Sequence, residues 1–358
     1  MSAATTYPGP AAPSPADVPT ALAAHRRRLR RRTTAVVAAL CVVVVGLFAT
    51  MLTVGSYQLP LADVVASVLH VGDDPSVDFV VQGIRLPVAL AALGVGLALG
   101  LSGVVFQTLL ANPLASPDFV GVSSGASLFA AGAIIVVSLN GIATSVAALV
   151  GALVSGLLVY ALAWRGGVTG YRFILIGIGI SQFMLSITAY LVARADIHDA
   201  REAMTWIIGS VGMADPGTLQ ALFAVLLLSV PLLVLLARPL RGLQLGDDSA
   251  AALGVRVEAA RWGLMTLAIV LVAFATAAAG PIMFVALVAG PLAHRLLGSA
   301  PGALLASALV GAALVMMAEL VAAHLLPTAL PTGVVTGAVG APYLLWLLVS
   351  ANRGGRGG

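Results

Sequence analysis

Few residues in this chain have both the type and the spacing to do chemistry. Asp247 and Asp248 stand side by side, and adjacent carboxylates can chelate a Mg²⁺-diphosphate. Octahedral Mg²⁺ takes carboxylates that converge in space, however, and no further acid follows this pair within one or two turns. Asp73-Asp74 fails for the same reason and reads as an outer loop before Pro75. Glu319, with His324 on the same apolar stretch, is the candidate for ion coupling, because a charge deep in a membrane is costly and kept for a purpose. A proton relay normally needs several titratable sites, so Glu319 reads better as a buried hydrogen-bonding acid at a helix interface. A lone cysteine, Cys41, supports neither a disulfide framework nor a Cys-based metal cluster and reads as a small apolar packing residue. All 18 basic residues are Arg, and no GxxxxGK[ST] phosphate loop is present. The expectation is therefore a chain without catalytic or metal-binding residues and without a cofactor of its own.

The elements that must position these residues are set by composition. Of the 358 residues, 60% are hydrophobic and 9% charged, more apolar surface than a soluble core can hide. Several apolar runs reach the roughly 20 residues that cross about 30 Å of hydrocarbon at 1.5 Å per residue. Windows bounded by Arg, Pro, Gly and Asp give ten candidate helices, at 35–56, 86–110, 120–139, 142–164, 171–193, 218–238, 262–279, 281–297, 302–326 and 333–350. The weakest break is at Gly280-Pro281, where one long broken element is the alternative.

Charge placement orients them. The net charge of +4 raises the question of a nucleic-acid partner. Six Arg within residues 25–32 directly precede the first apolar run, which is the signature of a cytosolic anchor. That run is too long for a signal-peptide h-region and lacks a convincing cleavage site. With the N-terminus inside and ten spans, 15 of the 18 Arg face the cytosol; merging the spans at Gly280 would move Arg295, Arg353 and Arg356 to the wrong side. Residues 1–34 are expected to form a disordered basic cytosolic tail, 35–350 the transmembrane domain, and 351–358 a short cytosolic tail.

Two segments are too polar to sit in lipid, and a third informative one follows the second span. Outside, residues 194–217 carry Asp196, His198, Asp199, Arg201 and Glu202 before Trp206, which suits a membrane interface. Inside, residues 239–261 include Leu245-Gly246-Asp247-Asp248 and Leu253-Gly254-Val255. Asp247 or Asp248 can cap a short helix that Gly254 ends in a left-handed conformation. Such a helix is either an amphipathic connector on the membrane or a docking element for a cytosolic partner. The third segment runs from Ser102 to Ala126, where Pro113 and Pro117 force a break and Gly121, Ser123, Ser124, Gly125 and Ala126 offer close packing. Gln107 and Asn112 can hydrogen-bond across helices.

Together these blocks resemble the permease subunits of ABC importers for iron-siderophore complexes, haem and cobalamin. The matches are Arg85-Leu86-Pro87, Asn112 to Asp118 with Gly125-Ala126, Leu245 to Val255, Gly280 to Ala289, and Leu330 to Thr336 with Gly340-Ala341-Pro342. Trp164-Arg165-Gly166-Gly167, Ile174 to Ile180 and the Gly246-Asp247-Asp248 variant are most similar to the ferric-enterobactin type. The resemblance implies an all-α, polytopic type II importer permease of about ten transmembrane helices in a bacterial cytoplasmic membrane, with both termini cytosolic. It implies a second permease, a paralogue in a heterodimer, two cytosolic ATPases and an extracytoplasmic binding protein, in a lipid bilayer and without nucleic acid. Haem or cobalamin import is the alternative within the family, and an ion-coupled secondary transporter the alternative outside it. By resemblance, Leu245, Gly246, Asp247, Asp248, Leu253, Gly254 and Val255 couple to the ATPase, and Arg85 is the candidate contact for the binding protein. Gln107, Asn112, Ser123, Ser124 and Glu319 are pathway or helix-packing candidates. The chain departs from the family pattern at Val88, where a second Arg is common, at Gly290-Pro291 in place of Pro-His, and at Ala329 in place of Glu.

Overall fold

The computed structural model describes residues 18–55, 57–72, 74–164, 170–298 and 302–354. All regular structure among the described residues is helical. In chain order the helices are α1 (Val18–Thr53), α2 (Leu61–Val68), α3 (Pro75–Asp78), α4 (Leu86–Leu109), α5 (Val122–Val137), α6 (Ile142–Ala163) and α7 (Gly170–Arg194). They continue as α8 (Ile197–Ile208), α9 (Pro216–Leu243), α10 (Asp247–Ala252), α11 (Val257–Ala279), α12 (Val285–Leu297), α13 (Ala303–Leu320) and α14 (Thr332–Gly354). A wide turn, Phe79–Arg85, joins α3 to α4 into one continuous rod, Pro75–Leu109.

Seven helical segments are long and apolar enough to cross a membrane, and the shorter apolar helices α5 and α12 with α14 complete the ten expected crossings. Gly280 and Phe284, both at positive φ, separate α11 from α12. The crossing expected at 281–297 is therefore shorter, starting at Val285.

Three expectations are corrected. The basic segment before residue 35 is helical from Val18, continuing the first span rather than forming a disordered tail. Its Arg32 turns back, Nε and Nη2 donating to the Leu296 carbonyl at 3.3 and 3.1 Å and so satisfying an orphan acceptor at the end of α12. Trp206 is buried in the protein core instead of lying at a membrane interface. Cys41 is exposed on α1 and faces away from the core. Residues 1–17, Asp73, Arg165-Gly166-Gly167 and 355–358 lie outside the described residues.

The core forms around α4, which packs on α13, α11, α12 and α9. Small residues make this possible: a Cβ on Gly96 or Gly100 would collide with the α13 backbone at Ala312 or Ser307, and one on Gly103 with the Ala286 carbonyl of α12. Lipid supplies no hydrophobic drive between helices, so backbone-to-backbone approach of this kind carries the packing. By contrast α1, α7 and α9 leave long apolar faces exposed, including Val42, Phe183 and Leu235.

Candidate functional site

Two connectors hold most of the candidate residues. The first, residues 110–121, leaves α4 at Leu110 and turns at Asn112, whose Oδ1 accepts from the Leu114 N–H at 2.9 Å. This makes Asn112 a local turn-former. Just before it, Gln107 donates from Nε2 to the Leu287 carbonyl at 3.0 Å, tying α4 to α12. A Cβ on Gly290 would collide with Gln107, so the unusual Gly290 accommodates this cross-helix bond.

From Ser116 onward the connector folds into the bundle. Ser116 and Ser123 donate their hydroxyls to the two Asp118 carboxylate oxygens at 3.0 and 2.9 Å. Gly121 sits at φ +88°, and its carbonyl accepts from Ser155 of α6 at 2.7 Å and from Ser124 at 3.3 Å. Ser155 and Ser181 lie in the middle portions of α6 and α7, and a Cβ built on Gly121 would sit 3.0 Å from the first hydroxyl and 3.3 Å from the second. The connector thus reaches mid-helix depth, where polar groups must find partners inside the protein. Asp118, Ser123, Ser124, Ser127, Ser181 and Gln182 line the polar side of a cavity of about 400 Å³. The buried Ser181 hydroxyl has no hydrogen-bond partner among the described residues.

The second connector, residues 244–256, stands on the opposite terms. Gly246 (φ +92°) precedes α10 and Gly254 (φ +81°) ends it. Asp247 and Asp248 occupy the first turn, where they complement the helix dipole; neither is the cap expected from the sequence, because Gly246 holds that position without a side chain. Ala250 is buried and packs with Val255 on Gly242, at the end of α9. Leu245 and Leu253 flank the helix at 64% and 68% exposure, beside an open groove of about 780 Å³ whose rim carries Arg238, Arg241 and Arg256. The Asp247 carboxylate, itself exposed, meets Arg261, whose Nη2 donates to its two oxygens at 2.9 and 3.1 Å.

The remaining candidates are structural ties. Arg85 donates from Nη1 to the Leu52 and Thr53 carbonyls at 2.8 and 3.0 Å and from Nη2 to the Tyr57 carbonyl. These bonds close the C-terminus of α1, which gives Arg85 an internal structural role. Glu319 accepts from the buried Thr332 hydroxyl, which in turn accepts from the Val211 N–H at 3.2 Å. This links α13, the start of α14 and the 211–213 turn, the hydrogen-bonding role read from the sequence.

Sequence reasoning missed Asp118, Ser155, Ser181 and Arg261. Asp118 was visible as an acid between a proline break and a run of small residues. Nothing along the chain pairs it with residues 155 and 181, which only the packing of α5 on α6 and α7 brings near.

A family model described as the FecCD transport family matches residues 40–350. The chain is 40% identical over 313 residues to the Escherichia coli K12 ferric enterobactin transport system permease protein FepG, covering 87% of this chain and 94% of FepG. It is 38% identical over 319 residues to the achromobactin transport system permease protein CbrC of Dickeya dadantii, covering 87% and 90% of the two chains. Among solved structures, a metal-chelate type ABC transporter in an inward-facing conformation matches with a TM-score of 0.78 at 28% identity, covering 88% of this chain and 99% of that one.

Proposed function

This chain belongs to the FecCD transport family, and we propose that it is the membrane-spanning permease of an ATP-driven importer for a ferric siderophore. The ten crossings and the metal-chelate transporter likeness support a type II importer permease. The siderophore assignment is supported by relatives that transport ferric enterobactin and achromobactin.

The observation that carries the mechanism is the exposed connector at 244–256. A short helix held between two positive-φ glycines, with Leu245 and Leu253 bare on its flanks, has the form of a plug for another protein's groove. Exposed leucines beside arginines at the cytosolic ends of α9 and α11 fit a partner more readily than water. In this reading two ATPases bind, one at each permease's α10, hydrolyse ATP with Mg²⁺ and rock the paired permeases between inward- and outward-open states. The second permease is a paralogue, and a binding protein delivers the chelate from outside. The Arg distribution supports cytosolic termini in a bacterial cytoplasmic membrane. The chelate moves past the Ser- and Gln-lined cavity at the inner end of α5, whose hydroxyls and amide offer hydrogen bonds without fixed positive charge.

Reconstitution into liposomes with the ATPase, the second permease and the binding protein tests this. Ferric-siderophore uptake should require both ATP and the ATPase. Uptake driven by a proton or sodium gradient without the ATPase would replace this reading with that of a secondary transporter.

A further inference from the structure

The docking helix has to move something, and the structure shows what it is fastened to. Its packing on α9 rests on Ala250 and Val255 against Gly242, small apolar contacts that resist sliding weakly. Toward α11 it has a charged, bifurcated contact. Arg261 Nη2 straddles both Asp247 oxygens, and Nη1 approaches Glu258 at 3.5 Å, so one guanidinium is shared by two acids. The Arg261 side chain is 13% exposed while that of Asp247 is 56% exposed. The cation is thus fixed in the body of the protein and the carboxylate is carried on the docking element. A charge pair anchored on one side by packing keeps its geometry better than two free surface chains.

The next residue continues the connection. The Trp262 ring lies against the Tyr160 ring of α6, centroids 3.5 Å apart, and Trp164 packs on both at 5.4 and 6.0 Å. Tyr160 and Ser155 are five residues apart on α6, and Ser155 holds the Gly121 carbonyl. A set of contacts therefore runs from α10 through Arg261 and Trp262 to α6, and along that rod to Ser155, which holds the Gly121 carbonyl three residues beyond Asp118.

We propose that Arg261 is a positioning residue that couples the docking helix to α11 and, through Trp262 on Tyr160, to the mid-membrane connector at Asp118. Asp247 then belongs to this internal strut, and the ATPase-facing contacts are left to Leu245 and Leu253. The proposal rests on the importer reading above. It adds that productive docking and productive transport are separable at one residue.

The test uses the complete complex in proteoliposomes, with ATP hydrolysis, ATPase capture and siderophore uptake measured on the same preparation. Arg261→Gln should still capture the ATPase and support ATP turnover, while siderophore delivered per ATP falls about tenfold. Arg261→Asp sets three acids together and should be worse, and the exchange Asp247→Arg with Arg261→Asp should restore uptake to within about threefold of the parent. Trp262→Leu should lower the same ratio. Unchanged uptake per ATP in Arg261→Gln would overturn the proposal. So would failure of the exchange to restore uptake in a complex whose thermal midpoint and ATPase capture match the parent. A parent complex that fails to capture any ATPase would instead count against the importer reading itself, so the two failures are told apart.

Discussion

The connectors at 110–121 and 244–256 draw on similar residues, sharing Gly, Asp, Ser, Ala and Leu, yet one is folded into the bundle and the other stands clear of it. The difference lies in what flanks them. After the first come Ser123, Ser124, Gly125 and Ala126, a face small enough for α5 to meet Gly151 and Ser155 of α6 at backbone distance, which draws the connector inward. Its carboxylate is then surrounded by hydroxyl donors from its own chain. The second has only Ala250 and Val255 to bury, and two leucines that find no cover. An acid satisfied within the chain makes the first part of the architecture, while the apolar groups left bare on the second are what the proposed docking role rests on.

That comparison breaks if the close approach at Gly125 is dispensable. Gly125→Leu would drive a side chain into Ser155 and the Gly151 carbonyl, and should cost about 3 kcal/mol. The loss should show as a lower thermal midpoint in detergent; an unchanged midpoint would mean that α5 is not seated as described. Asp118→Leu comes next, because it strands the Ser116 and Ser123 hydroxyls at mid-helix depth, with an expected loss of about 2 kcal/mol. Asp118→Asn keeps an acceptor and should lose markedly less, so equal losses for the two variants would contradict the hydrogen-bonding role. Thr332→Val removes the shared partner of Glu319 and the Val211 N–H, and should lower stability by about 1 kcal/mol, measured by the same melt. Smallest in stability is Leu253→Ser, expected to change it by less than about 0.5 kcal/mol because the side chain touches little. Its effect should appear in ATPase capture instead, lowered about tenfold if this leucine anchors the contact. Capture at the parent level would move the docking surface elsewhere.

Much of the fold was legible along the chain because the bilayer imposes a length and hydropathy rule on every span and an Arg rule on every loop. Those rules placed the crossings and kept α11 and α12 separate at Gly280. They misjudged residues 18–34, since a run of Arg can continue a helix once one guanidinium finds the end of α12. The internal bonds of Arg85 were not legible for a related reason: only the fold brings three carbonyls of the preceding segment within its reach. Trp206 was read by type, and its burial depends on how α8 folds back on the core. Within the candidate site, Gln107, Glu319 and the glycine-bounded helix were visible in the residues themselves.

By itself the sequence determined that this protein lives in a bilayer, how many times it crosses and which acids and amides it places near the breaks. These properties are local or additive, set by runs of apolar side chains and by charge near their ends. The tertiary structure decided which acids face one another's partners: Asp118 toward Ser116 and Ser123 beside α6, and Asp247 toward Arg261 fourteen residues on. A hydrogen bond acts over about 3 Å, so its partner is settled by how the helices pack.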